Sequence, residues 1–231
     1  MNDQPDLVGI PNRPFPLKRI VISLLSIAAV FIGAALMLPK SATAKDAIGL
    51  APKQKLQIEK IEKYLNTISS MRARFLQITS QGAFAQGDFL MSRPGRMRIE
   101  YDAPNPIVLV ADGTWMMYKD TELDQRSYTL LSTVPASMFI GEKVDFFGDE
   151  LLIADYVKET ETIRLTLQRN DDPMEGSLTL VFADKPLALK QWSVIDAQGI
   201  STTVSLMAPQ FGVTLEDSLF KIENQPLKKP D

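Results

Sequence analysis

Residues 92–104 read SRPGRMRIEYDAP, and the six in its middle, Arg96-Met97-Arg98-Ile99-Glu100-Tyr101, decide the fold. Met97, Ile99 and Tyr101 alternate with Arg96, Arg98 and Glu100, the period of two expected of a strand with one buried face. Pro94-Gly95 ahead of it is a turn signal. Working outward, the same period recurs. Ala73–Thr79 and Gly87–Met91 precede it, and Ile107–Val110 follows, leading through Asp112-Gly113, a strong hairpin signal, into Thr114–Tyr118. Gln125–Leu130, Leu151–Asp155, Thr162–Gln168, Ser177–Phe182, Leu187–Ile195, Ile200–Leu206 and a last segment Phe220–Ile222 continue the pattern. Asn170-Asp171-Asp172-Pro173 and Asp196-Ala197-Gln198-Gly199 supply turns between them.

The alternation is interrupted twice. Lys53–Met71 places Leu56, Ile58, Ile61, Leu65 and Ile68 at helical spacing, an amphipathic helix whose apolar side docks on a core. In Ser132–Gly141, Pro135 starts a short helix and Gly141 ends it. The expected fold is therefore mainly β with a small α component. About eleven antiparallel strands form a meander, and a sheet of that size curls. A fully closed barrel of so many strands has a lumen too wide for side chains alone, so a helix, a ligand or both must occupy it. The large apolar positions Phe89, Met91, Met97, Ile99, Tyr101, Leu178, Leu180 and Phe182 face that interior. Methionine there is read either as ordinary core or as lining that adapts to a variable apolar ligand.

Composition removes several functions. The 231 residues include no histidine and no cysteine, so no Ser-His-Asp or Cys-His nucleophile system is available and no imidazole or thiolate metal site. A net charge of −3 argues against a nucleic-acid binder. Neither a Gly-x-Ser-x-Gly elbow nor a phosphate loop appears. Asp171-Asp172 remains as a carboxylate pair for a hydrolase, but turns ordinarily carry acidic residues. No cofactor, metal or catalytic residue is assigned.

The N-terminal residues 1–44 belong to export rather than to the fold. Lys18-Arg19 precede an apolar run from Ile20 to Leu38, Pro39 breaks it, and Ala42-Thr43-Ala44 has the small-x-small pattern of a signal-peptidase site. Cleavage between Ala44 and Lys45 leaves residues 45–231 as the mature domain. The run is also long enough to span a bilayer as an uncleaved anchor. Both outcomes put the remainder outside the cytoplasm, because the positive charges precede the apolar run.

With these elements in order, the chain resembles the LolA family of periplasmic outer-membrane lipoprotein carriers. The residues that carry the resemblance are Phe75-x-Gln77, Gly87-Asp88-Phe89, Arg93-Pro94-Gly95-Arg96-Met97-Arg98-Ile99-Glu100-Tyr101, Pro104, and Ile107-Val108-Leu109-Val110-Ala111-Asp112-Gly113. Tyr118, Leu123-Asp124-Gln125, Val134-Pro135-Ala136 and Asp196-x-x-Gly199-x-x-Thr202 extend it, so that it covers about residues 54–225.

The resemblance implies an unclosed antiparallel barrel with helices laid across the opening as a lid. It implies a monomeric periplasmic chaperone whose cargo is the acyl chains of triacylated lipoproteins. Such a carrier receives its cargo from an inner-membrane ABC complex and passes it to an outer-membrane acceptor, with no chemistry performed on it. It also gives Arg93 a role as a latch, its guanidinium bonding carbonyls of the lid in the closed state; a rigid fork of donors suits that task. Phe89, Met91, Met97, Ile99 and Tyr101, with Leu65 and Ile68 from the lid helix, are the expected acyl-chain cavity. Arg96 and Arg98 fall on the opposite face and are expected to be outer-surface charges. Trp115 and Trp192 are the only tryptophans, whereas several family members line the cavity with Trp and Phe. The alternative function is a lipid-binding or sensor protein of the same fold, held at the inner membrane by an uncleaved Ile20–Leu38 helix.

Overall fold

The computed structural model describes residues 49–222. The segment expected to direct export, with Ile20–Leu38 and the Ala44–Lys45 junction, lies outside the described residues, and so does the domain boundary expected there.

Eleven antiparallel strands form a single sheet: β1 Ser70–Thr79, β2 Phe84–Ser92, β3 Arg96–Tyr101, β4 Ile107–Asp112, β5 Trp115–Asp120, β6 Gln125–Leu130, β7 Leu151–Lys158, β8 Thr162–Arg169, β9 Gly176–Ala183, β10 Ala188–Asp196 and β11 Ser201–Phe211. The spatial order is β6-β5-β4-β3-β2-β1-β11-β10-β9-β8-β7. Two meanders are thus joined at the middle by pairing of the first strand with the last. The two edges, β6 and β7, are consecutive in sequence, and the barrel they would close stays open. Register shifts at Arg72/Arg74, Leu189/Gln191 and Ile153/Asp155 mark bulges. Each adds local twist and helps the sheet curl.

One face of the curled sheet is the core. Ile163, Leu165 and Leu167 of β8 and Leu178, Leu180 and Phe182 of β9 are fully buried, and the alternate positions are not. Over this concave face lies helix α1, Pro52–Thr67, with Ile58, Ile61 and Leu65 turned inward. The Ala51 N–H donates to Gln54 Oε1 at 2.8 Å, closing the helix start, and Pro52 sits where a missing N–H does no harm. The connection from β6 to β7 lies over the same core. It carries a 3-10 turn, Leu131–Thr133, and a one-turn helix α2, Ser137–Ile140, ending at Gly141. The lid is therefore built from α1 together with the very segment that spans the open edges.

Three expectations need correction. The helix expected to run to Met71 ends at Thr67, because Ser70 and Met71 pair with Ser92 and Met91 of β2, and Met71 also with Phe211 of β11. Two ladders outweigh one more helical turn. Leu56 lies off the buried stripe and is 58% exposed. Phe220–Ile222 is not a strand: a 3-10 turn, Asp217–Phe220, lies against β3 and β4, whose edges are both already paired. Ile222 there packs with Val110 and Met117 on the outer face.

Candidate functional site

The turn between β2 and β3 brings the sheet to the lid. Arg93 Nη2 donates to the Phe139 carbonyl at 2.5 Å, and Nη1 donates to the Gly141 carbonyl at 3.2 Å. Both acceptors belong to the last turn of α2, where carbonyls lack intrahelical partners. The Gly95 N–H donates to the third, Ile140 O, at 2.8 Å. The corner itself is pinned by the Arg93 N–H donating to Ser69 O at 2.8 Å, just ahead of β1. Gly95 has φ +67°, and a Cβ there would lie 2.8 Å from the Gly113 Cα and 3.2 Å from Leu131 Cδ2. Partial burial of the Arg93 guanidinium lowers its pKa from the ordinary arginine value, the direction desolvation of a cation gives.

The lid has further polar ties. Asn66 on α1 donates from Nδ2 to Val144 O and accepts the Val144 N–H at Oδ1, each at 2.8 Å. Glu62, one turn earlier, accepts the Phe146 N–H at 2.8 Å. The Tyr64 hydroxyl accepts the Leu189 N–H of β10 at 3.1 Å. Across the open edge, Arg169 at the end of β8 donates to the Ser132 carbonyl at 2.5 Å while pairing with Asp171 and Glu175. A groove of about 940 Å³ runs along this edge, lined by residues of the lid such as Ser137 and Met138 and by Arg169 and Asn170.

Beneath these few polar ties the contacts are apolar. Phe89, Met91, Met97, Ile99, Tyr101, Leu65 and Ile68 are all buried and belong to one cluster. The strand parity read from the alternation is correct, and α1 joins the same core, its Tyr64 ring edge-on to that of Phe182 on β9. Phe139, Phe146, Val144 and Trp192 join the same cluster and were not singled out from the sequence. Trp192 of β10 lies between Phe89 and Phe139, its ring tilted to both, with centroids 5.2 Å and 5.4 Å away. The Ser137-Met138-Phe139-Ile140 run within a short helix was the available signal for Phe139. Trp115, by contrast, packs on the outer face with Val110 and Met117.

The remaining sequence candidates fall elsewhere. Arg96 does not stand free on the outside: it bonds Asp217 and Ser92 and lies 5.6 Å over the Phe220 ring, so it fastens the C-terminal turn to the sheet. Arg98 pairs with Glu100 at 2.8 Å on the outer face. Asp171 is exposed, and its hydrogen bond from Arg169 holds its carboxyl below the usual range. A general acid at neutral pH needs the opposite shift. Among the described residues no group of acidic side chains is placed to hold a metal ion, and no helix is long and apolar enough to cross a membrane.

Residues 66–223 match the family model described as outer membrane lipoprotein carrier protein LolA, well over half of the chain. The chain belongs to the LolA family. Two relatives named outer-membrane lipoprotein carrier protein illustrate the distance. The one from Halorhodospira halophila is 27% identical, aligned over 72% of this chain and 81% of its own. The one from Pseudomonas aeruginosa strain PAO1 is 30% identical, over 73% of this chain and 84% of its own. A solved LolA-superfamily structure from Nitrosomonas europaea covers 71% of this chain and 97% of that one, at 13% identity and a TM-score of 0.42. Within the LolA-family match lie the β2–β3 corner with Arg93, the α2 turn it bonds, and all eleven strands.

Proposed function

We propose that this protein is a periplasmic, non-enzymatic carrier. In this reading it holds the acyl chains of triacylated lipoproteins between the sheet and the lid. It takes them from an ATP-driven complex in the inner membrane and gives them to an acceptor in the outer membrane. Arg93 is its latch; Phe89, Met91, Met97, Ile99, Tyr101, Leu65 and Ile68 line the space the chains enter.

The observation that carries the reading is an open sheet whose apolar inner face is covered by a lid held through a few hydrogen bonds. Burying a side chain such as Leu, Met or Phe contributes about 1.5–3 kcal/mol, and burying a lipid methylene about 0.8 kcal/mol. Displacing the lid's apolar side chains by acyl chains exchanges like for like and is close to balanced. A balanced exchange is steered by small differences, and hydrogen bonds to a charged group, at about 1.5–3 kcal/mol each, are of that size. Such a device loads and unloads without any covalent chemistry, in keeping with a chain free of histidine and cysteine.

The test uses spheroplasts making a labelled outer-membrane lipoprotein. Purified protein is added and the supernatant assayed. The carrier reading expects the lipoprotein there in a one-to-one soluble complex, whereas a version without acyl chains is released without help. If folded protein releases nothing, the carrier role fails and the anchored lipid-binding reading takes its place; an intact N-terminus on protein isolated from cells would then support that.

A further inference from the structure

The inner face of the sheet changes character along its strands. The inward positions of β1 run Met71, Ala73, Phe75, Gln77 and Thr79, all buried. The first three are apolar and the last two polar. β11 repeats the change: Thr202 is the partner of Thr79 and Val204 that of Gln77, with Leu206 beyond. On the other side Ala85 faces Gln77, and Tyr101 faces Gly87 one rung on. Gln77, Thr79, Thr202 and the Tyr101 hydroxyl thus make a polar floor at the end of β1 remote from the Arg93 corner.

This floor holds hydrogen-bonding capacity that the fold does not use. Gln77, Thr79 and Thr202 are only 1%, 6% and 3% exposed, yet Gln77 Nε2 and both threonine Oγ1 atoms are buried without a partner. The Tyr101 hydroxyl donates to Gln77 Oε1 at 2.8 Å. The two residues together carry three donor hydrogens and this bond uses one; turning the amide around leaves the same surplus. Buried polar groups are ordinarily paired, because an unpaired one keeps the whole cost of losing water. Three on one inner face, beside Phe75 and Ala85, call for a partner that arrives from inside the barrel.

We propose that Gln77, Thr79, Thr202 and Tyr101 form a subsite for the ester or amide carbonyl of an acyl chain whose hydrocarbon runs along the inner face toward Phe89 and Met91. The inference rests on the carrier reading and adds the direction in which the lipid lies. Gln77 Nε2 donates to the carbonyl oxygen, and the threonine hydroxyls, able to donate or accept, serve the adjoining oxygen or N–H. From Gln77 to Met71 the strand rises about 20 Å at about 3.3 Å per residue, the reach of an extended long-chain acyl group. A free fatty acid fits less well. The inward positions of β1, β2, β3 and β11 around the floor are uncharged, and a carboxylate there would be desolvated without a counter-ion.

The experiment measures binding of the purified protein to single-chain lipids of one chain length that differ in the linkage at the head of the chain: a 1-monoacylglycerol, its 1-O-alkyl ether, an N-acylethanolamine, and the free fatty acid. Each is titrated below its aggregation threshold by calorimetry. The ester, the amide or both should bind about tenfold more tightly than the ether, the equivalent of one hydrogen bond, and the fatty acid should bind least. Gln77→Leu should erase the preference and leave ether affinity within about twofold. If that variant does not fold, the near-isosteric double variant Thr79→Val/Thr202→Val, with Gln77 retained, should narrow the preference. Equal binding of ester, amide and ether by the wild type, or an undiminished preference in a folded variant, overturns the subsite and leaves the carrier reading standing. Binding of none of the lipids overturns both.

Discussion

The guanidinium of Arg93 and the carbonyl oxygen of Phe139 are 2.5 Å apart although 46 residues separate them in sequence. The Phe139 ring also lies tilted against Trp192, which in turn meets Phe89 of β2. One short helix therefore carries both the polar hold on the lid and an aromatic contact beneath it. Opening the lid has to break the two together.

Arg93→Leu removes two hydrogen bonds from a charged donor, each worth about 1.5–3 kcal/mol to the closed state. If closing the lid helps expel the acyl chains, the variant keeps its cargo at least about tenfold more tightly, since 1.4 kcal/mol is a factor of ten. It should still accept lipoprotein from spheroplasts and pass it poorly to outer membranes. Arg93→Lys keeps the charge but not the fork, and should fall between the two. Efficient onward transfer by Arg93→Leu would remove the latch role.

Gly95→Ala tests the corner independently of charge. The residue has φ +67°, and an added Cβ would sit 2.8 Å from the Gly113 Cα, a backbone atom that cannot swing aside. Strain of this kind costs about 1–3 kcal/mol. The thermal midpoint should drop, and the Gly95 amide, which donates to Ile140 O, should exchange faster with deuterium. An unchanged midpoint would mean that the corner relaxes without effort and does not aim Arg93.

The strands and their facing were legible in the sequence because alternation, turn residues and burial agree there. Arg96–Tyr101 has the bounds that its alternation set, and Met97, Ile99 and Tyr101 are buried as their period required. The end of α1 was not legible: helical spacing continues through Ile68, and only long-range pairing of Ser70 and Met71 ends it. Nor was Phe220–Ile222, whose apolar residues suit a strand but find both neighbouring edges taken. Arg93 was singled out through resemblance, whereas Asn66 and Glu62 give no local sign of partners about eighty residues away. Gln77 lay in plain view within a strand, but a polar residue on an inward position declares itself only once its unpartnered Nε2 is seen.

Asn66→Ala tests the hold of α1 on the lid loop. The side chain closes a reciprocal pair of 2.8 Å bonds with the Val144 backbone, and Val144 is itself buried. Loss of both leaves two backbone groups to be satisfied otherwise, at about 1–3 kcal/mol. Residues 141–150 should become protected less well in hydrogen exchange, while β8 and β9 remain unchanged. Uniform loss of protection across the sheet would show instead that α1 and the barrel unfold as one unit.

Stability should be level across neutral pH and fall on both sides of it. The chain has no histidine and no cysteine, so no side chain of ordinary pKa titrates between about pH 5 and 8. On the acid side, hydrogen bonding from Arg74 lowers the Asp102 carboxyl, and hydrogen bonding from Arg169 lowers that of Asp171. Groups lowered in the folded state bind fewer protons than in the unfolded chain. Their contribution is present above the ordinary carboxylate value, about 3.9, and is lost as pH falls through the folded one. On the alkaline side, burial raises the phenol of Tyr101, and also those of Tyr64, Tyr118 and Tyr156. The folded chain then keeps protons that the unfolded chain gives up, so stability present below about pH 10 is lost as pH rises above it. The thermal midpoint measured from pH 3 to 11 should show a plateau with two falling limbs, and Tyr101→Phe should shorten the alkaline one. A step within pH 5–8 would contradict this and point to a side chain whose pKa has been moved into the neutral range.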